Sequence, residues 1–311
     1  MDINYLLWLQ EIRNATGGMF DAFIECVSDF VVGAWAYLLI GLIYWCVNKK
    51  KGAEIMFALS GGSMMMQFMK NTFCIYRPWI RDPRIVPVGD SISTATGYSF
   101  PSGHTYIATS FFGSVIVWLR KNKIIVTVCA LFLVLVMFSR NYLGVHTPQD
   151  VITSFLLGLI FIWLSTKIST WIENGLNRDI VVTSVGVMLC VLFLIYCEFK
   201  PYPIDYTATG ELLVDPYEMI TDCYLAVGCV SGFLVGWFIE RRFVSFEDTD
   251  NRKTQIYRFV IGGLTTLAVL KGVTVPIETA LGEHWGILVR YFLTIVWMIA
   301  GAPILFRFIK R

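Results

Sequence analysis

Charge is scarce in this chain. Of its 311 residues, 15% are Asp, Glu, Lys or Arg and 56% are hydrophobic. A soluble domain carries about 25% charged residues, so an ordinary soluble globular protein is excluded. Eight cysteines include no Cys-x-x-Cys pair, which argues against a zinc or disulfide framework; most lie in apolar runs and read as small core residues. No group of carboxylates or histidines has metal-ligand spacing, so neither a metal nor another cofactor is required. There is no short-period repeat and no soluble domain between the apolar runs. No cleavable signal with a small-residue cleavage site stands at the start, so the first span is expected to act as its own insertion signal. The net charge of +2 carries no signal for a nucleic-acid partner, and none is expected.

What is present is a series of long apolar runs. Residues 1–30 mix Leu6, Leu7, Trp8 and Ile12 with Glu11, Arg13, Asp21, Glu25 and Asp29. That is too charged to span, and it predicts an amphipathic helix in the membrane interface, broken at Gly17-Gly18. Nine segments of spanning length follow, near 31–47, 53–73, 103–119, 123–138, 150–166, 180–197, 219–238, 257–275 and 286–306. The expected fold class is all-α: a polytopic membrane protein of about nine transmembrane helices after an interfacial segment. The expected domains are 1–30, a helical core over 31–168, and four additional helices over 169–311.

Nine spans put the two termini on opposite sides, and the basic residues then distribute unevenly. Sixteen of the twenty-five, among them Lys49, Lys50, Lys51, Arg241, Arg242, Lys310 and Arg311, fall on one side, which is expected to be cytoplasmic. Five of the remaining nine cluster around three polar motifs on the other side: Lys70, Arg77, Arg81, Arg84 and Arg140.

The stretch Ser139–Asp150 reads Ser-Arg-Asn-Tyr-Leu-Gly-Val-His-Thr-Pro-Gln-Asp, between two apolar runs. Thr147 suits a helix N-cap and Pro148 a first helical turn. His146 and Asp150 are four apart and meet on one side of that helix start. A carboxylate on one imidazole nitrogen orients the ring and leaves the other nitrogen to attack or to take a proton. The alternative is a capping box in which Asp150 only satisfies backbone donors. The second span ends at Lys70, Arg77 and Pro78. Seven residues is about two turns, which places both cations on one helix face, where they meet an anion or water, or else snorkel to the interface. The third span opens Pro101-Ser102-Gly103-His104, a helix start whose backbone N–H groups and dipole suit an anion. By the parity of spans all three motifs share one membrane face. Cations, helix-start N–H groups and two of the chain's three histidines make a phosphoryl-transfer site.

Lys-x6-Arg-Pro, Pro-Ser-Gly-His and Ser-Arg-x5-His-x3-Asp, in that order, resemble the three signature motifs of the type 2 phosphatidic acid phosphatase superfamily. The resemblance covers residues 31–168 and says little of 169–311. It implies that His146 attacks phosphorus and becomes a phosphohistidine, that Asp150 holds its tautomer, and that His104 protonates the leaving oxygen and then activates water. It implies that Lys70, Arg77, Ser102, Gly103 and Arg140 bind phosphate oxygens without a metal. The substrate implied is a membrane lipid phosphate or pyrophosphate, the product inorganic phosphate, and vanadate an inhibitor. Nine spans are also similar to the glucose-6-phosphatase branch, which makes a sugar phosphate the alternative substrate; a transporter or scaffold with a relict site is a further alternative. The implied location is a bacterial plasma membrane with the site outside, or an endoplasmic reticulum membrane with the site in the lumen.

Four features lie outside the motifs. Arg81 and Arg84 suit a second phosphate or headgroup, or are solvated loop cations. Gly228, Gly232 and Gly236 form a close-packing helix face. The loop Phe199–Tyr217 overhangs the site or is unrelated to it. His284, beside Glu283 and Trp285, is read as an interface residue.

Overall fold

The structure, a computed structural model, describes residues 2–33, 35–207 and 209–308. Lys310 and Arg311, counted on the basic side above, lie outside these residues. Regular structure among the described residues is helical apart from one isolated bridge, Tyr206 with Leu212.

Among the described residues five helices are long and apolar enough to cross a membrane: Lys123–Tyr142, Pro148–Glu173, Arg178–Phe199, Pro216–Val244 and Glu283–Phe306. They account for the expected spans near 123–138, 150–166, 180–197, 219–238 and 286–306, and they make this a multi-pass integral membrane protein. The other four expected spans fall on helical backbone below that standard. Lys49–Phe73 is one helix, diluted by Glu54, Lys70 and its glycines and serines. The stretch after Pro101 is Gly103–Ala108, a π-helical turn Thr109–Gly113 and Ser114–Trp118. Residues 31–47 are interrupted where the helix Asp21–Val32 ends at the extended Gly33, and they close in a π-helical turn at Ile43–Val47; 257–275 is divided by one at Val269–Val273.

The chain forms two compact units. The first comprises 1–36, 65–162 and 201–219. Its N-terminal helices Asp2–Ala15 and Asp21–Val32 are separated where Gly17 and Gly18 adopt φ +61° and +72°, the left-handed region glycine enters without strain. The second helix buries Val27 and Val31 against Ala108, Leu133 and Val136, and Ile24 against Tyr142 and Leu143. Tyr142 Oη donates to Asp21 Oδ1 at 2.7 Å, and Arg13 Nη2 to the Val86 carbonyl at 2.8 Å. The N-terminal pair is therefore part of this core, while Met19, Phe20 and Phe23 on its outer side stay exposed.

The second unit comprises 37–64, 163–200 and 220–311. Trp45 donates to the Met298 carbonyl at 2.9 Å, and Arg242 binds Asp179 through two nitrogens at 2.5 and 2.6 Å. The glycines at four-residue spacing do form a packing face. A Cβ would stand 2.5 Å from the Leu288 carbonyl oxygen at Gly228, 2.7 Å from that of Phe292 at Gly232, and 3.1 Å from Val296 Cα at Gly236. Backbone is the obstacle in each case, so the helices must separate to admit a side chain.

This gives a paired expectation. Alanine favours a helix over glycine by about 1 kcal/mol, so Gly272→Ala, with nothing within 4 Å of the new Cβ, should be neutral or stabilising. Gly232→Ala should instead destabilise, by about 1–3 kcal/mol of overpacking. Thermal melts of both variants in detergent make the comparison, and equal Tm values would remove the packing role of the stripe.

Candidate active site

All candidate site residues belong to the first unit, and the first motif is built differently from the sequence expectation. The helix carrying Lys70 ends at Phe73, because Cys74 turns into the left-handed region at φ +48°. Arg77 is then extended (φ −63°, ψ 154°) and caps a short helix begun by Pro78. Lys70 and Arg77 therefore do not share a helix face. The residue before a proline avoids the helical region, and here the helix stops four residues earlier still. Arg77 reaches the site on this non-helical segment and is nearly fully buried. Its Nε donates to the Gly97 carbonyl at 3.0 Å, Nη2 to Thr96 at 2.7 Å, and Nη1 to Val145 at 3.1 Å. Nη1 also lies 2.9 Å from His146 Nε2.

The third motif is folded by its own backbone. The helix Lys123–Tyr142 ends, Gly144 turns at φ +74°, and the amides of Val145 and His146 both return to the Arg140 carbonyl at 3.2 Å. Asn141 Nδ2 donates to the His146 carbonyl at 2.9 Å. Asp150 Oδ2 accepts from the Thr147 amide at 2.8 Å and from Ser99 Oγ at 2.6 Å. It lies 3.4 Å from His146 Nδ1. The cap and the histidine contact thus coexist on one oxygen, so the two readings of Asp150 do not compete. An arginine N–H can only donate. His146 Nε2 therefore accepts from Arg77, and the ring proton belongs on Nδ1, facing Asp150 and Ser99. Burial, followed by the charges of Arg77, Arg140 and Lys70, holds the His146 pKa well below its ordinary 6.5.

The second motif joins the third directly, since the Ser102 amide donates to the Asp150 carbonyl at 3.3 Å. Ser102 is the N-cap of the helix that carries Gly103 and His104. A Cβ on Gly103 would touch only Met66, at 3.6 Å, so space alone does not demand glycine there. Arg140 is fully buried, and its Nη1 donates to Ser28 Oγ. The buried polar atoms without a hydrogen-bond partner include four on motif residues: Ser102 Oγ, His104 Nε2, and Arg140 Nε and Nη2. Buried polar atoms are ordinarily paired, and three of these four belong to cationic or protonatable groups. An oxyanion suits such a set. Lys70 is buried in the same unit.

Residues outside the motifs have partners of their own. Arg81, the last residue of the short helix Pro78–Arg81, is tied to Asp2 at 3.1 Å, and Arg84 in the following loop to Asp82 at 2.7 Å, so both cations are paired. The loop after residue 200 packs on the first motif. Tyr202 Oη donates to Asn71 Oδ1 at 2.8 Å, Tyr76 Oη to Asp205 Oδ2 at 2.5 Å, and Val214 and Met219 cover Tyr98. These contacts stand beside Lys70 and Arg77 in sequence. His284 stacks on Tyr224 with ring centroids 5.0 Å apart. Ser99 and Ser28 are the polar groups missing from the sequence reading. Ser99 sits in a loop with no periodicity to mark it. Ser28 carried a signal, being a serine on the helix face of Ile24, Val27 and Val31.

Buried cations around a neutral histidine, in a protein with several membrane-length helices, suit a membrane phosphoryl-transfer hydrolase. Comparison with known proteins gives that class its family. Residues 51–173 match the PAP2 superfamily, and residues 224–311 match the PAP2 superfamily phosphatase, transmembrane extension. The chain therefore carries a PAP2 superfamily domain followed by that family's transmembrane extension, and it is a hydrolase of the phosphoric monoester or pyrophosphate class. Phosphatidylglycerophosphatase B of Escherichia coli (strain K12) is 22% identical over 192 residues, which cover 48% of this chain and 74% of that protein. A dihydrosphingosine 1-phosphate phosphatase of Schizosaccharomyces pombe is 25% identical over 179 residues, covering 54% and 42%. An undecaprenyl-diphosphatase of Sulfolobus acidocaldarius is 41% identical over 75 residues, covering 24% and 35%. No solved structure matches.

Ser99 supplies a test of the Asp150–His146 arrangement. Ser99→Ala removes a hydrogen bond to a carboxylate, about 1.5–3 kcal/mol, so kcat/KM should fall roughly ten- to hundredfold. The pH profile should keep its shape. Depressed in the fold, His146 stays neutral down through pH 6.5 and loses its lone pair only at lower pH, so its acid limb lies below 6.5. In the unfolded chain the ring protonates near 6.5, so the same group makes the fold less stable as pH falls below that value. Measurement of kcat/KM against pH for both proteins decides; an unchanged rate in Ser99→Ala would remove the serine from the site.

Proposed function

We propose that this protein hydrolyses a lipid phosphate or lipid pyrophosphate through a phosphohistidine intermediate, without a metal, from the extracytoplasmic face. The observation that carries the proposal is the donor set without protein partners, Arg140 Nε and Nη2 with Ser102 Oγ and His104 Nε2, beside a buried, neutral His146. Phosphoryl transfer spreads charge over three equatorial oxygens and needs donors fixed in advance. In the proposed reaction Lys70, Arg77, Arg140, Ser102 Oγ and the backbone N–H groups at Gly103 receive those oxygens. Arg77 Nη1 shifts from His146 Nε2 to an incoming oxygen, which exposes the lone pair. Nε2 then forms a bond to phosphorus as the bond to the leaving oxygen breaks, and His104, which acts as imidazolium once the phosphate anion offsets the cations around it, gives that oxygen its proton and becomes neutral. Asp150 and Ser99 hold the Nδ1 side throughout. Water next attacks the phosphohistidine, His104 takes a proton from it, and inorganic phosphate leaves with His146 restored. Among the described residues no group of three or more His, Cys, Asp or Glu side chains is placed to hold a metal.

A lipid is favoured because the three relatives above bear the names of lipid phosphatases and because the chain lies in the membrane. A site there admits a headgroup while the tail stays in the bilayer. Sidedness rests on the uneven distribution of basic residues and on nine spans, five of which are single helices long and apolar enough to cross a membrane. The membrane favoured is a bacterial plasma membrane, with the endoplasmic reticulum as the alternative.

Purified protein assayed in chelator should release phosphate from phosphatidic acid, a sphingoid-base phosphate or a polyprenyl pyrophosphate, and should act poorly on glucose 6-phosphate. His146→Ala should abolish turnover and His104→Ala should reduce it severely in folded protein. Preference for glucose 6-phosphate would replace the lipid reading, and substantial turnover by His146→Ala would end it. In a cysteine-free background, a cysteine at Thr209 should react with an impermeant thiol reagent from outside and one at Asp250 should not; the reverse pattern reverses the sidedness.

A further inference from the structure

We infer that Ser28 is a positioning residue for Arg140, holding one corner of its guanidinium so that the opposite edge is presented to the phosphoryl group. The inference rests on the phosphatase reading above. Ser28 lies outside the matched family segment 51–173 and outside all three motifs. It sits on the inner face of the helix Asp21–Val32 between Val27 and Val31 and is fully buried. Its Oγ accepts from Arg140 Nη1 across 112 positions of chain. Arg140 Nε and Nη2 are the two guanidinium nitrogens without a partner.

The geometry of arginine gives this division a meaning. The guanidinium is planar, and its Nε–H and one Nη–H point the same way as a fork that matches two oxygens of a phosphate. The fork here is Nε with Nη2, and Nη1 is the corner left over. A planar group held by one corner has little freedom to rotate, so the fork is aimed before substrate arrives. Preorganised donors cost no reorientation at the moment of reaction, which is where electrostatic catalysis gains most. A carboxylate in place of Ser28 would also hold Nη1, but its charge would offset the cation that the phosphate needs. A neutral hydroxyl holds the group and leaves its charge available. Packing of this helix does not need the hydroxyl, because Val27 and Val31 already seat it on Ala108, Leu133 and Val136.

The test is a double-mutant cycle in the full-length protein, with Ser28→Ala and the near-isosteric Ser28→Cys, each alone and with Arg140→Ala. Turnover of a lipid phosphate, inhibition by vanadate and Tm are measured for every variant. Ser28→Ala should lower kcat and weaken vanadate by roughly tenfold each, the size of one hydrogen bond to a charged group, with Tm near wild type. Ser28→Cys keeps the volume and supplies only a weak acceptor, so it should show the same losses even if alanine loosens the helix. In the Arg140→Ala background neither substitution should change kcat or vanadate affinity further, because the group that Ser28 holds is gone. Equal losses in both backgrounds, or intact vanadate affinity in both Ser28 variants, would overturn the positioning role. If Arg140→Ala is crippled while both Ser28 variants match wild type, the positioning role fails and the phosphatase site stands. If Arg140→Ala itself matches wild type, the proposed cradle fails and the inference falls with it.

Discussion

Like charges buried together set the terms for the first unit. Lys70, Arg77 and Arg140 are all nearly inaccessible, and taking a cation out of water is costly unless oxygens surround it. For Arg77 those oxygens are the carbonyls of Thr96, Gly97 and Val145. For Arg140 the oxygen is a serine hydroxyl from the N-terminal helix. Both arrangements stabilise a guanidinium through neutral dipoles, so the cations keep their pull on an anion. The same positive surroundings, together with burial, keep His146 neutral. In the proposed mechanism a nucleophilic nitrogen and a phosphate cradle are two consequences of one electrostatic condition.

That condition explains several local irregularities. Arg77 can meet three carbonyls only if its own backbone has left the helix, which the left-handed Cys74 and the proline at 78 ensure. Val145 and His146 both return to the Arg140 carbonyl around a left-handed Gly144, so the arginine and the histidine are set by the same turn. Ser99 and Thr147 converge on Asp150, and the Ser102 amide meets the Asp150 carbonyl, so the second and third motifs are fixed to one another through backbone.

How much of this was legible in the sequence depends on the range of the interaction. The three motifs and their assembly in one region were readable, because their residue types are unusual beside apolar runs. The cap at Thr147 and the histidine–aspartate spacing were readable, because both are local helix geometry. The glycine face at 228, 232 and 236 was readable from its period alone. The common helix face for Lys70 and Arg77 was a wrong inference from spacing, because seven residues make two turns only if the helix persists, and this one stops at Phe73. The count of nine spans went beyond the five helices that meet the length and composition of a span, because runs such as Lys49–Phe73 carry glycine, serine and charge. Ser28 and Ser99 stayed hidden because each acts across a long stretch of chain; only the buried periodicity of Ile24, Val27 and Val31 marked Ser28 as unusual.

The central claim is chemical: His146 carries the phosphoryl group during turnover. The direct measurement is rapid quench of the purified protein with a lipid substrate labelled in its phosphate, followed by peptide mapping under alkaline conditions, which preserve phosphohistidine. The account predicts a labelled species formed before the steady state, located at His146 and absent from His146→Ala. Turnover with no labelled protein at any time, or label on a different side chain, would contradict it.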